Sequence, residues 1–124
     1  MMLVGGTCSG KSSCYKVLAR AMTKLKDHKE FQSVETIILN PKSMTIDQLY
    51  GKMTPTLEWS DGILSKIMRD LATNQHKDAN TAHWIILDGP VDSIWIESMN
   101  TALDDNKLLC LTNGERIPVP PGVR

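Results

Sequence analysis

An α/β fold with a mainly parallel sheet is the architecture this sequence predicts, and three observations point to it. Strand and helix signals alternate along the 124 residues. A glycine-rich turn sits between an apolar stub and an amphipathic helix. A continuous apolar run, WIIL at residues 84–87, ends in Asp88-Gly89-Pro90, the profile of a strand buried on both faces of a parallel sheet. With 41% hydrophobic and 23% charged residues the chain has the composition of one soluble globular domain. A chain of this length buries roughly two-thirds of its unfolded surface, which suffices for a core without a disulfide or a structural metal.

Each element has its own signal. Residues 1–4 (MMLV) read as the tail of a buried strand. Cys14, Val17, Leu18, Ala21, Met22 and Leu25 then recur at helical spacing and predict a helix ending near Lys26, with Lys24, Lys26 and Lys29 at the negative end of its dipole. VETIIL at residues 34–39 is a second strand, stopped by Asn40-Pro41. Residues 45–50 form a short helix capped by Ser43 or Thr45, and residues 51–59, which contain Pro55, leave the regular alternation. Ser60 or Asp61 caps the next helix, whose stripe is Ile63, Leu64, Ile67, Met68, Leu71 and Ala72. Residues 73–81 carry no apolar pattern and read as an exposed, mobile connection. A helix is expected over residues 94–103. Residues 108–111 and 117–119 flank Thr112-Asn113-Gly114-Glu115, and Asn-Gly is a strong hairpin turn; Pro118, Pro120 and Pro121 keep the second arm at an edge.

Composition narrows the function. Fourteen Lys plus Arg against fourteen Asp plus Glu give a formal net charge of zero, so the field that drives nucleic-acid binding is lacking. No apolar run approaches the ~20 residues of a membrane span, and no signal peptide opens the chain. The three cysteines, Cys8, Cys14 and Cys110, form no C-x-x-C pair, and with His28, His76 and His83 they show no zinc-site spacing.

The chemistry lies in Gly5-Gly6-Thr7-Cys8-Ser9-Gly10-Lys11-Ser12, which matches G-x-x-x-x-G-K-[ST] and is followed by Ser13. Glycines let successive backbone N–H groups face one centre, and the N-terminus of the following helix adds its partial positive charge; both suit a polyphosphate. Lys11 is expected at the β- and γ-phosphates, and the Ser12 hydroxyl at Mg²⁺. Asp88, closing the WIIL run, is the acid expected to hold the magnesium, although a turn-forming Asp before Gly-Pro fits the same geometry. Gly89 follows where a water-orienting glutamate would stand. Asp92 and Glu97 are the nearest acids and read as a helix cap and a solvated helix face. Cys8 reads as filler, and Trp59, Trp84 and Trp95 as core or contact residues. Asn106-Lys107 lacks the following x-Asp of a guanine reader. From the loop alone, a small stand-alone P-loop kinase or nucleotidase is an alternative, but no lid arginines or acceptor site are evident.

Four stretches together resemble the heavy chains of dynein motors, in particular the second AAA+ module of the motor ring. They are GGTCSGKSSCYKVL (5–18), LNPKSMTIDQLYG (39–51), EWSDGILSKIMRD (58–70) and WIILDGPVDSIWIESMNTALDDNKLLCLTNGERI (84–117). The resemblance implies a P-loop NTPase large subdomain, residues 1–124 running from the Walker A loop to the pre-sensor hairpin and stopping before the sensor strand, the fifth strand and the small helical lid. It implies ATP and Mg²⁺ as cofactors, held by Gly5 to Ser13 with Ser12 and Asp88 at the metal, and binding with little or no hydrolysis because the Walker B glutamate is absent. It also implies neighbouring AAA+ modules as partners, with intermediate and light chains bound by the parent motor, and microtubule contact only indirectly. Residues 51–59 and the 108–119 hairpin look like inserts that touch other parts of the motor. The wording of LNPKS and DGPVD is nearer to axonemal heavy chains, which implies a cilium or flagellum, than to the cytoplasmic form.

The AAA+ strand order leaves residues 1–4 and 84–87 without their shared neighbour. The isolated 124-residue polypeptide is therefore expected to aggregate through unpaired edges, and a cooperative, reversible thermal transition of the monomer would contradict this.

Overall fold

In the computed structural model, which describes residues 1–74 and 80–124, the first regular element is helix α1, Lys11–Lys24. Residues 1–4, expected as a strand, form none; Met1 is 96% and Val4 82% exposed. An apolar run becomes a strand only where a second backbone pairs with it, and none does so here. The same lack of a neighbour decides how α1 is buried. Tyr15 and Ala19 are buried, with Met22 and Thr23 half-buried, whereas Cys14, Val17, Leu18, Ala21 and Leu25 of the expected stripe face outward. The helix is held by the strand that follows, where Thr23 Oγ1 donates to the Ala19 carbonyl (2.8 Å) and accepts from Val34 N–H (3.0 Å).

That strand is β1, Ser33–Leu39. Asn40 then caps a single 3-10 turn, its Oδ1 accepting from Lys42 N–H at 3.0 Å. Helix α2, Ile46–Tyr50, has Thr45 as its cap in a reciprocal box: Gln48 N–H donates to Thr45 Oγ1 and Thr45 N–H to Gln48 Oε1. Ser43, the other candidate, instead donates to the Asn40 carbonyl. The irregular stretch proves to be an antiparallel hairpin of β2, Gly51–Met53, and β3, Trp59–Asp61.

Helix α3, Ile63–Asn74, starts after Gly62, and neither Ser60 nor Asp61 caps it, because both belong to β3. Lys66 N–H donates to the Gly62 carbonyl, so Gly62 occupies the cap position. A side chain is excluded there: a Cβ would stand 2.5 Å from the Leu49 carbonyl carbon and oxygen and 2.6 Å from Gly51 N. Most of the connection expected over residues 73–81, including His76, lies outside the described residues.

Strand β4, Thr81–Leu87, pairs in parallel with β1, Ser33 opposite Thr81 through Leu39 opposite Leu87. It is half-buried along most of its length rather than sealed on both faces. The one helix expected over residues 94–103 is broken into α4, Ser93–Ile96, a 3-10 turn, and α5, Asn100–Leu103. The Tyr50 hydroxyl donates to the Trp95 carbonyl, the acceptor that an unbroken helix offers to Met99 N–H. Strands β5, Leu108–Cys110, and β6, Arg116–Pro118, form the expected hairpin, with Gly114 at φ 85° in its turn.

Residues 122–124 run parallel along the other edge of β4: His83 N–H donates to Gly122 O, Arg124 N–H to His83 O, and Ile85 N–H to Arg124 O. The expectation that β4 has no neighbour on this edge is thereby corrected for His83 to Ile85. The architecture is a parallel β1–β4 pair with flanking helices and two antiparallel hairpins. The core lies to one side of the β1–β4 pair, where Leu49, Leu64, Met68, Trp95, Met99, Leu109, Leu111 and Ile117 join α2, α3, α4–α5 and the β5–β6 hairpin.

Replacing Gly62 by alanine forces the α2–α3 junction apart and costs more than about 2 kcal/mol, by the overpacking it creates. In the full-length protein, limited proteolysis should cut Gly62→Ala within residues 51–62 faster than the native chain; equal cutting would refute the crowding.

Candidate functional site

The glycine-rich loop builds a cradle from backbone rather than side chains. Ser9 N–H donates to the Gly6 carbonyl at 3.3 Å, Cys8 has φ 63° and Gly10 φ 86°, so the chain turns twice through the left-handed region before entering α1. The first ladder bond of α1 is Cys14 N–H to Gly10 O (3.0 Å), which leaves the amides of Lys11, Ser12 and Ser13 without intrahelical acceptors. No acidic side chain lies in the first turn and none caps it.

The glycines serve different needs. Gly10 requires its positive φ, and at Gly5 a Cβ would lie 2.7 Å from Ser9 Oγ. At Gly6 a Cβ would meet nothing within 4 Å, so the space in front of it is open. Lys11 Nζ folds back into the loop, donating to the carbonyls of Gly5 (2.8 Å) and Gly6 (2.6 Å) and to Ser9 Oγ (3.4 Å). One fixed cation therefore stands among the loop's carbonyls while the helix amides face outward beside it. This donor set fits a phosphate group. Thr7, Cys8, Ser9 and Ser13 are at the surface of this turn, and Ser12 is half-buried on the first turn of α1.

Asp88 follows β4 and continues its register, its N–H donating to Leu39 O at 2.8 Å, with the side chain exposed. Hydrogen bonds from Lys11 and Ser9 tie the loop of Gly5 to Ser13 together, and among the described residues no hydrogen bond or ion pair joins it to Asp88 at the carboxyl end of the sheet. Ser12 and Asp88 are both oxygen donors with exposed or half-exposed side chains, which suits a hard, largely hydrated cation.

Next to Asp88, Gly89 packs against the turn after β1: a Cβ would be 3.1 Å from Asn40 Oδ1 and 3.4 Å from Pro41 Cδ. Asp92 is already engaged. Its Oδ1 accepts from Ile94 N–H at 3.0 Å as the cap of α4, and its Oδ2 pairs with Lys42 Nζ at 3.3 Å. The Ile94 amide first, and Lys42 second, hold its carboxyl below the usual aspartate range. Those contacts favour the ionised form, so they strengthen the fold above the ordinary aspartate pKa and are lost as pH falls through the lowered one. Glu97 begins the 3-10 turn and is exposed, as expected. Trp95 is buried, its Nε1 donating to Pro90 O. Asn40 with Pro41 reads from sequence only as a strand stop, and Lys42 carries no signal of its own; the Asn-Pro pair at the end of a parallel strand is the available signal.

Comparison with known proteins bears on this site. The family model for the AAA domain (dynein-related subfamily) matches residues 1–123. Dynein axonemal heavy chain 1 of Homo sapiens is 53% identical over 123 residues, covering 94% of this chain and 3% of that protein. The cytoplasmic dynein heavy chain of Paramecium tetraurelia is 46% identical over 125 residues, covering 100% of this chain and 3% of its own length. That of Caenorhabditis elegans is 43% identical over 127 residues with the same coverage. The chain thus spans about 3% of the length of these relatives, which include both axonemal and cytoplasmic forms.

Proposed function

The chain belongs to the AAA domains of the dynein-related subfamily, and from that membership we propose that residues 1–124 form a module of a microtubule motor that binds ATP with Mg²⁺ with little or no hydrolysis at this site. Gly5 to Ser13 are the nucleotide-binding residues of this reading, with Ser12 and Asp88 at the metal and no catalytic residue assigned. A magnesium ion held by Ser12 and Asp88 would supply charge compensation for the phosphates. The protein's own part is to replace water around the phosphates with fixed donors: the first-turn amides of α1 and the Lys11 ammonium, which exchanges loop carbonyls for phosphate oxygens.

The observation that carries the absence of turnover is the surroundings of Asp88. A general base must lie within hydrogen-bond reach of the attacking water and be free to accept its proton. Gly89 offers no side chain, and Asp92 is committed to Ile94 and Lys42. The module would then act by holding a triphosphate as a structural part of the ring, beside neighbouring AAA+ modules of the same heavy chain. Intermediate and light chains, and the microtubule, would be met through the rest of the motor. The relatives favour a cytoskeletal site of action, and the 53% identity to an axonemal chain favours a cilium or flagellum. A stand-alone kinase or nucleotidase draws no support from the relatives named above, each of which is a dynein heavy chain.

The test uses a full-length heavy chain carrying this segment. Photo-crosslinking with an azido-ATP, followed by peptide mapping, should label residues 1–124 in the native protein. Lys11→Ala should lower that labelling at least about tenfold, the loss of charge-assisted hydrogen bonds to phosphate. Gly89→Glu should introduce turnover at this site, whereas Gly89→Ala, which crowds Asn40 equally but adds no carboxylate, should not. Unchanged labelling in Lys11→Ala would contradict the binding site, and turnover in Gly89→Ala would contradict the role given to the missing carboxylate.

A further inference from the structure

Arg69, on α3, makes four hydrogen bonds to two carboxylates from different parts of the chain. Its Nε and Nη2 donate to Asp61 Oδ2 and Oδ1, each at 3.0 Å. Its Nη1 and Nη2 donate to Glu115 Oε1 at 2.6 Å and Oε2 at 3.1 Å. Asp61 ends β3, and Glu115 lies in the turn joining β5 to β6. Both acids are themselves oriented: Trp59 Nε1 donates to Asp61 Oδ1 at 2.8 Å, and Glu115 N–H donates to Asn113 Oδ1 at 3.0 Å. The two hairpins share no strand pairing, and Arg69 and Glu115 are 46 positions apart in sequence.

We propose that Arg69 is a positioning residue that couples the β2–β3 hairpin to the β5–β6 hairpin, so that a contact made by either one is transmitted to the other through α3. A planar guanidinium gripping two carboxylates in paired fashion fixes both direction and distance, which a lysine at the same place cannot do. The hydrogen bonds from Arg69 hold both carboxyls below their usual range, so the tie is fully charged at neutral pH. Lys66 is the other cation acting on Asp61. The side chains are partly exposed, 40% for Arg69, 26% for Asp61 and 39% for Glu115, so salt weakens the tie. The competing link between the hairpins is apolar: Trp59 of the first packs against the same core as Met68 of α3 and Leu111 and Ile117 of the second. The coupling stands independently of whether the loop binds ATP.

Amide hydrogen exchange in the full-length heavy chain separates these links. Asp61→Asn should speed exchange not only in its own hairpin but at Leu111 and Gly114, whose amides close the β5–β6 turn, by about three- to tenfold. Glu115→Gln should do the same at Thr54 and Leu57, the amides closing the β2–β3 turn. Arg69→Gln should reproduce both effects, Arg69→Lys should restore part of the protection, and about 1 M salt should bring the native protein toward Arg69→Gln. The amide of Asp88, bonded to β1, should stay protected in every variant. If each carboxylate substitution loosens only its own hairpin, the apolar core sets their relative position and the proposal is wrong. It is equally wrong if Asp88 loses protection alongside the hairpins, since Arg69 would then be supporting the whole fold.

Discussion

Parallel pairing of β1 with β4 is the constraint on which the rest of the chemistry depends. The register brings Leu39 opposite Leu87, and the Asp88 amide extends it by one more bond to Leu39 O. Two chain segments far apart in sequence therefore leave the sheet at the same end, Asn40 from one and Asp88-Gly89 from the other. Loops at the carboxyl ends of parallel strands are where α/β proteins place their ligands. A second tie, Lys42 to Asp92, fastens the two exit loops together beyond the sheet. Backbone pairing thus places the three residues differently: Asp88 is exposed at the end of the sheet, Gly89 packs against Asn40, and Asp92 caps a helix.

The glycine-rich loop depends on the same sheet through one helix. α1 touches β1 through a narrow face of Tyr15, Ala19, Met22 and Thr23, while the larger core forms on the far side around α2, α3 and the second hairpin. The loop is consequently stiffened from within, by left-handed turns at Cys8 and Gly10 and by Lys11 bonding its carbonyls, rather than by packing from without. A loop whose cation is held by neutral carbonyls is poised for an anion, because phosphate oxygens are stronger acceptors for an ammonium than those carbonyls are.

Much of this was legible in the sequence, and the failures share a cause. The loop spacing, β1, β4, the Asn113-Gly114 hairpin and the Thr45 box depend on residues near one another in the chain, and each is found where local chemistry puts it. What periodicity could not supply was the partner. Residues 1–4 have strand composition without a neighbour, and α1 has apolar residues on two adjoining faces, of which only the one meeting β1 is buried. The break in the 94–103 helix comes from the Tyr50 hydroxyl, 45 positions away, and the Arg69 tie likewise joins residues that no local window contains. Ser60 and Asp61 looked like caps because the β3 strand that claims them is only three residues long.

A triphosphate held by this loop is proposed to survive intact because Gly89 brings no carboxylate beside Asp88 and Asp92 is engaged in a helix cap. The most direct measurement is the chemical identity of the nucleotide retained at this site after prolonged incubation of the full-length heavy chain with ATP and Mg²⁺, taken as the difference between native and Lys11→Ala proteins. Recovery of that difference as ATP is the result predicted here. Recovery as ADP would contradict the account, since it would mean that some group at this site accepts the proton despite the missing carboxylate at Gly89 and the engagement of Asp92 in its cap.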